Sequence, residues 1–336
     1  MILDPAAKRF LDLVGAASPP DLARLSPAEM RERFSRLMRL VGPKSAPIGR
    51  IDDGELPGGA GPIPFRAYTP CESIGGHLPG IVYLHGGGGV FGSIETHDGV
   101  CRMLANASGC RVISVGYRLA PEHRFPAAVE DSYTAVNWVF AQASTLAIDP
   151  ARVVVAGDSA GGGLAATVCQ RASRDGGPRI ALQLLLCPVL DLAAETESRR
   201  DLAAGNFLDQ ATLDWMIKQY CPQDVALTDP RLSPLRAEDL SGQPPTHVHT
   251  AEFDPLRCEG RAYADRLQQA GVEVRYTCHA GMIHHFYGMA DVIPYAQVAM
   301  SAIGGEIKKA LAHKSDTAQI AAAVTRSRAL RGQSPR

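Results

Sequence analysis

The residues of this chain best suited to covalent chemistry are Ser159, Asp254 and His284. A serine hydroxyl becomes a useful nucleophile when an imidazole takes its proton and a carboxylate orients that imidazole. Ser159 lies in Val153-Val154-Val155-Ala156-Gly157-Asp158-Ser159-Ala160-Gly161-Gly162-Gly163, where three β-branched residues run into Gly-Asp-Ser-Ala-Gly. Leu164-Ala165-Ala166-Thr167-Val168 then reads as a helix. A serine on so tight a strand-to-helix turn has a strained backbone, so its neighbours must be small. Gly157 and Gly161 meet that need. The hydroxyl is then held out at the end of a sheet, over the positive end of a helix. The plain alternative is a glycine-rich turn without chemistry, in a chain with 33 glycines.

The base is expected on a loop after the last strand, and Gly281-Met282-Ile283-His284-His285-Phe286 is that loop. Only one of two adjacent histidines can aim at the serine; position favours His284, with His285 as the alternate. Glu252-Phe253-Asp254-Pro255-Leu256 supplies an acid at a strand end. Asp254 as a simple helix cap is the bland reading, and Asp191, one strand earlier, is the rival acid. Ser159, Asp254, His284 is the order expected of a nucleophile on such a turn.

Acyl transfer also needs donors for a tetrahedral oxyanion, and removing one typically costs about 2.7–4 kcal/mol of barrier. The N–H of Ala160, after the nucleophile, is one; Gly87 and Gly88 of the His85-Gly86-Gly87-Gly88 run are the others. Gly87 to Gly92 also matches G-x-G-x-x-G, but the next strand end, Ser114-Val115-Gly116-Tyr117, lacks the acid a dinucleotide site needs. His247 and His249 share one face of a strand with no third ligand in view, and read as structural. No metal or cofactor is expected.

These residues need a scaffold. Ser26-Pro27-Ala28-Glu29 is a capping box, and Met30, Phe34, Leu37, Met38 and Val41 follow at helical spacing until Gly42. Asp4 can cap an earlier helix with Pro5 in its first turn. This N-terminal pair either packs on the domain or forms half of a lid. Ile63 to Tyr68 alternates as an antiparallel strand, placed near an edge by Pro64. Strands are predicted at 80–84, 111–115, up to Asp158, 180–187, 246–253 and 272–276. Helices are predicted near 96–107, after Pro126, after Ser159, around Leu213 to Tyr220, over 256–269 and over 294–311. Alternating strands and helices imply an α/β protein with a mostly parallel sheet, whose sites collect at the carboxyl ends of the strands.

With 336 residues, the chain suits one large domain with an added lid, or two modest ones. A net charge of −1 gives no field that would gather nucleic acid. Eight scattered cysteines without C-x-x-C read as reduced thiols of a cytoplasmic protein. The charged residues Asp4, Lys8, Arg9 and Asp12 interrupt any signal-peptide core, and no apolar run is long enough to cross a bilayer. The tail beyond Lys314 reads as a solvated segment.

The chain resembles the bacterial hormone-sensitive-lipase-like esterases of the α/β-hydrolase fold. The resemblance rests on H-G-G-G at 85–88, Y-R-L-A-P-E at 117–122, G-D-S-A-G-G at 157–162, D-P-L at 254–256 and G-M-x-H-x-F at 281–286. It implies hydrolysis of a small-molecule carboxylic ester, with Ser159 as nucleophile, His284 as base and then acid, and Asp254 as orienter. It also implies a two-part helical cap at 1–45 and 191–225, a core at 46–190 and 226–312, and a homodimer, whereas the tail at 313–336 extends past the family's usual end. The sequence departs from the family at Gly89, where relatives carry a bulky aromatic, which suggests a looser site. It also departs at Gly163, usually Asn, and at Cys258, usually an acid. Gly89, Val90, Phe91, Phe207, Leu208, Trp215, Ile283 and Met289 are candidates for an apolar substrate pocket, or for plain core. An amidase, a lipase and a binding protein without catalysis remain alternatives on the same scaffold.

Overall fold

The computed structural model describes residues 2–16, 22–44, 46–73 and 75–312; the 313–336 tail lies outside them. Helix α1 (Pro5–Ala16) starts where Asp4 Oδ1 accepts the N–H groups of Ala6 and Ala7, at 2.8 and 3.1 Å. Helix α2 (Pro27–Val41) opens on a reciprocal capping box. Ser26 Oγ accepts from the Glu29 N–H, and the Glu29 carboxylate accepts from the Ser26 N–H. Strands β1 (Arg50–Gly58) and β2 (Gly61–Thr69) form a hairpin. Only one strand is predicted there, because Asp52, Asp53, Gly54 and Pro57 are poor strand formers. Nine paired positions along β2 override that composition.

The remaining elements follow in chain order. They are β3 (Leu78–Leu84), α3 (Asp98–Ser108), β4 (Arg111–Val115), α4 (Ala127–Ala141), β5 (Ile148–Asp158) and α5 (Ala160–Arg174). Then come β6 (Leu182–Leu186), α6 (Glu197–Asp201), α7 (Gln210–Tyr220), β7 (Thr246–Phe253), α8 (Arg257–Gln269) and β8 (Val274–Ile283). A last helix, α9, covers 295–312. Two elements depart from the sequence reading. α6 is one short turn between polar segments, too brief to leave a periodic signal. β8 runs on to Ile283 because β7 continues beside it, pairing Phe253 with Ile283 after a register shift.

The eight strands form one sheet in the order β1-β2-β4-β3-β5-β6-β7-β8. The β1–β2 and β2–β4 pairs are antiparallel and the others parallel. Pro64 precedes the Phe65–Tyr68 stretch that pairs with β4, so its missing N–H interrupts nothing on that side, and β1 is the true edge.

Alternation along β3 shows how the sheet is covered. Val82 and Leu84 enter one apolar layer with residues of α4, α5 and α8, while Ile81 and Tyr83 enter the other with residues of α3 and α9. A third, smaller cluster lies among the loops at the carboxyl ends of the strands. Phe91, Val189, Leu208, Leu213, Trp215 and Met216 meet Met30 and Phe34 of α2 there. The order of strands also locates a crevice. β3 leads outward to β4, whereas its neighbour β5 leads the opposite way to β6. At such a switch point the two following loops separate and leave room for a ligand.

Candidate active site

Ser159 occupies the turn after β5 with φ 52° and ψ −121°. A Cβ on Gly157 would stand 2.2 Å from the Gly161 carbonyl oxygen, and one on Gly161 would stand 2.0 Å from that of Leu84. Neither neighbour is flexible, so both positions require glycine. The turn is held by backbone bonds from Ser159 N–H to the Leu186 carbonyl (2.9 Å) and from Val189 N–H to the Ser159 carbonyl (2.9 Å). Beyond it, His284 Nε2 lies 3.1 Å from Ser159 Oγ, and His284 Nδ1 lies 2.8 Å from Asp254 Oδ2. The second Asp254 oxygen accepts the Leu256 N–H at 2.9 Å. All three side chains are buried. Asp191 is engaged elsewhere, accepting from Ala193 N–H and from Arg236 Nε. His285 turns the other way, with φ 60° and its Nδ1 3.3 Å from Asp158 Oδ2.

The loop after β3 carries four glycines at positive φ, Gly87 (114°), Gly88 (65°), Gly89 (71°) and Gly92 (83°). The Gly87 carbonyl accepts from both Val90 and Phe91 N–H at 3.0 Å, closing the loop on itself. Among the described residues, the N–H groups of Gly87, Gly88 and Ala160 donate to no protein acceptor. Gly87 and Gly88 line one cavity with Ser159, and Gly88 and Ala160 line another. No helix opens at these glycines, since α3 starts only at Asp98.

Asp158, which the sequence presents only as part of a motif, anchors this loop. Its Oδ1 accepts from Tyr83 Oη (2.7 Å) and from Gly86 N–H (2.9 Å). Its Oδ2 faces His97 Nε2 and His285 Nδ1, each at 3.3 Å, and Tyr287 Oη at 3.4 Å. Burial alone would raise the Asp158 carboxyl; charge and hydrogen bonding from His97 and His285 outweigh it and hold it well below the carboxylate range. Burial pushes the His85 imidazole down to about 4, aided by nearby His97, and also lowers His285. His85 stacks on Tyr117 at 4.3 Å, and Tyr117 Oη donates to the His85 carbonyl at 2.6 Å.

A cavity of about 260 Å³ opens over Ser159 and His284. Phe91, Phe207 and Leu208 line it, as do Met30, Phe34 and Leu37 of α2 and Met216 of α7. Gly89 instead borders a smaller cavity of about 50 Å³, with Gly88, Ala160, Leu213, Ile217 and Tyr220. Gly89 does not loosen the site as its lack of a side chain suggests. The Tyr220 ring approaches to 2.7 Å of where a Gly89 Cβ would be, so the tyrosine fills that space. Val90, Trp215, Ile283 and Met289 line neither cavity; they belong to the buried clusters. Sequence alone does not separate an apolar wall from an apolar core. The walls from α2 had a signal in the Met30, Phe34, Leu37 stripe; Tyr220 had none.

Gly163 also has a local reason, since a Cβ there would stand 2.4 Å from the Val189 carbonyl oxygen. Cys258 is tied into the fold through its backbone. Its N–H donates to Ser198 Oγ, and the next residue, Glu259, forms a buried pair with Arg199 at 3.0 Å.

Comparison with known proteins agrees with this geometry. A family model described as an α/β-hydrolase fold matches residues 81–288. The carboxylic ester hydrolase LipN of Mycobacterium tuberculosis is 45% identical over 245 residues, a match spanning 71% of this chain and 65% of LipN. The arylesterase of Saccharolobus solfataricus is 36% identical over 310 residues, 92% of this chain and 100% of the relative. The solved structure of ester-hydrolase EH1AB1, from the metagenome of Lake Arreo, superposes with a TM-score of 0.89 at 41% identity, covering 92% and 99% of the two chains. Fold and sequence together define an α/β hydrolase. Within that class, the chain belongs to the hormone-sensitive-lipase-like esterase family.

The network around Asp158 makes the fold acid-sensitive. Unfolded, His85 takes a proton below about pH 6.5; folded, it refuses one until about 4. Stability is therefore complete above the unfolded value and is lost as pH falls through that window. The slope is up to roughly 1.4 kcal/mol per pH unit for each withheld proton. His285 shifts in the same direction. Asp158, depressed on folding, extends the loss below its ordinary pKa of about 3.9. Urea unfolding between about pH 7 and about pH 4 should show a steady fall in midpoint, with the His85 ring still neutral by NMR at about pH 5. A constant midpoint, or a His85 ring titrating near its ordinary value, would contradict this account.

Proposed function

We propose that the protein is a carboxylesterase acting through a serine acyl-enzyme on short- to medium-chain esters. The observation that supports this best is the continuous relay Ser159 Oγ, His284, Asp254, with separations of 3.1 and 2.8 Å, beneath an apolar cavity. In the acylation step Ser159 Oγ attacks the ester carbonyl while its proton passes to His284 Nε2. Asp254 holds Nδ1–H and balances the imidazolium charge. The carbonyl oxygen takes up the negative charge and receives hydrogen bonds from the free N–H groups of Gly87, Gly88 and Ala160. Collapse of the tetrahedral species expels the alcohol, which leaves with the proton from His284. Water, deprotonated by the same imidazole, then attacks the acyl-serine and releases the acid.

The two cavities suit an ester with one small and one larger substituent. The small one, ended by Tyr220, Leu213 and Ile217, takes the acyl chain and limits its length. The larger one, under α2 and Phe207, takes the alcohol. Residues 1–45 and 191–225 then act together as a cap. Arg31 supports this role by fastening α2 to the loops below. It donates to the carbonyls of Val90 and Ala120, each at 2.9 Å, and pairs with Glu122 at 2.6 Å.

Among the described residues no helix is long and apolar enough to cross a membrane. We place the protein in the cytoplasm, in keeping with eight free cysteines, of which five are buried. We also read it as a homodimer, by its resemblance to its family and by exposed Val298 and Tyr295 on α9. Sedimentation should give twice the chain mass of 35.8 kDa, and a monomer at working concentration would reject the dimer.

Turnover of p-nitrophenyl esters from acetate to palmitate should peak at short chains and vanish in Ser159→Ala. Asp254→Asn should lower kcat by roughly 10⁴ by leaving the imidazole in the wrong tautomer. Binding of esters without turnover, or hydrolysis that persists in Ser159→Ala, would refute this mechanism. In the same series, Tyr220→Ala should move the optimum to longer acyl chains, with kcat/KM for them rising relative to acetate by roughly tenfold or more, since one methylene in an apolar pocket is worth about 10–200-fold in discrimination. An unchanged optimum would remove Tyr220 as the limit.

A further inference from the structure

The two histidines that alternate along β7 meet a third potential ligand only in the folded chain. His247 and His249 point to the face of the sheet covered by α9, where Glu306 lies between them. Glu306 Oε2 is 3.8 Å from His247 Nδ1 and 3.6 Å from His249 Nε2, and the three atoms all lie within 4.8 Å of one another. Each of the three is buried and has no hydrogen-bond partner. Leaving one such atom unmatched is costly, and here three face one another, which calls for an explanation such as a bound ion. The clusters around Asp158 and Asp254 differ in this respect, because their facing atoms already bond one another.

We propose that His247 Nδ1, His249 Nε2 and Glu306 Oε2 form a binding site for a divalent transition-metal ion, zinc being the best match. Two imidazoles and a carboxylate are a common zinc donor set, with water as the fourth ligand. A tetrahedral ion about 2.0–2.2 Å from each donor needs donors roughly 3.3–3.6 Å apart. The two carboxylate–imidazole spacings, 3.8 and 3.6 Å, lie at or just above this range, and the two imidazoles, within 4.8 Å, draw together on binding.

The surroundings prepare the donors. His279 Nε2 lies 3.2 Å from His249 Nδ1, and Tyr295 Oη lies 3.1 Å from His279 Nδ1. With His279 accepting from His249 Nδ1–H, the lone pair of His249 Nε2 faces the ion, the outer-sphere arrangement usual for zinc histidines. Arg275 Nε holds the other carboxylate oxygen, Oε1, at 3.1 Å, which leaves Oε2 as a single donor. Its positive charge opposes the ion, but the guanidinium is largely exposed and screened by solvent. Burial lowers the His247 imidazole to about 4 and lowers that of His249 as well, so both are neutral, as ligands must be. Glu306 is on α9 and the histidines are on β7, so the ion would act as a clamp between the last helix and the sheet, independent of ester hydrolysis.

The test starts from full-length protein stripped with chelator and dialysed against zinc chloride. It should retain one equivalent and melt at a higher temperature than the stripped form. Cobalt(II) in place of zinc should give a tetrahedral visible spectrum without a thiolate charge-transfer band. His247→Gln and Glu306→Gln should each weaken zinc at least about tenfold, and His279→Gln, acting through His249, by about 10–100-fold. All three should keep their ester turnover, which certifies the fold. No retained ion, an octahedral cobalt spectrum, or a thiolate band that survives the substitutions would overturn the proposal, the last by placing the metal on cysteine.

Discussion

Burying an ionised carboxylate costs several kcal/mol unless its oxygens are occupied, and Asp158 is fully buried directly beside the proposed nucleophile. The groups that occupy it come from four separate parts of the chain. Tyr83 belongs to β3, Gly86 to the loop after it, His97 to the start of α3, and His285 with Tyr287 to the loop after β8. Each of these donors would lose its partner if its segment moved. The carboxylate thus fixes the glycine loop relative to the turn that carries Ser159. Gly86 is glycine for the same reason, since a Cβ there would stand 2.3 Å from Asp158 Oδ2. The proposed oxyanion donors, Gly87 and Gly88, follow Gly86 directly, so their position depends on a hydrogen bond one or two residues away.

The helices above the site are fastened by different means. Arg31 of α2 and Arg199 of α6 each reach across to another segment, but their environments differ. The Arg31–Glu122 pair is half exposed, and surface pairs contribute at most about 1 kcal/mol. What sets α2 over the cavity is that the same guanidinium also donates to two carbonyls of the loops below. Arg199 and Glu259 are nearly inaccessible, and burial pushes the Glu259 carboxyl up to about 8 despite the arginine. Such a pair stabilises little by itself but penalises any arrangement that separates it. The segment around α6 is therefore held in one place even though its helix is a single turn.

Much of the site was legible before the fold. Ser159, Asp254 and His284 each follow a run of β-formers, and in a parallel sheet such positions converge at one edge. The edge hairpin was half legible, because β1 is built from residues that become a strand only when β2 is beside them. Asp158 was not legible as an anchor, since a carboxylate in a motif looks alike whether it meets water or five donors. Gly89 shows the opposite failure. A missing side chain reads as empty space, yet the ring of Tyr220 comes from a distant helix to occupy it. Val90, Trp215, Ile283 and Met289 show why pocket walls resist sequence reasoning. An apolar side chain near a motif carries the same letter whether it faces substrate or core.

The adjacent histidines at the end of β8 draw these constraints together. Both are buried, and both offer Nδ1 to a carboxylate, but the carboxylates are different. His284 meets Asp254 from β7, and His285, with φ 60°, meets Asp158 at the end of β5. Two consecutive side chains can face two such partners only because the chain turns sharply between them. Gly288 leaves room for this turn, since a Cβ there would stand 2.3 Å from His285 Nε2. The pairing of His285 with Asp158 fixes the backbone from which His284 projects. Its 3.1 Å approach to Ser159 is thus referenced to the same carboxylate that fixes the glycine loop. The proposed base and the proposed oxyanion donors are set from one buried group, so a displacement of Asp158 would disturb both at once.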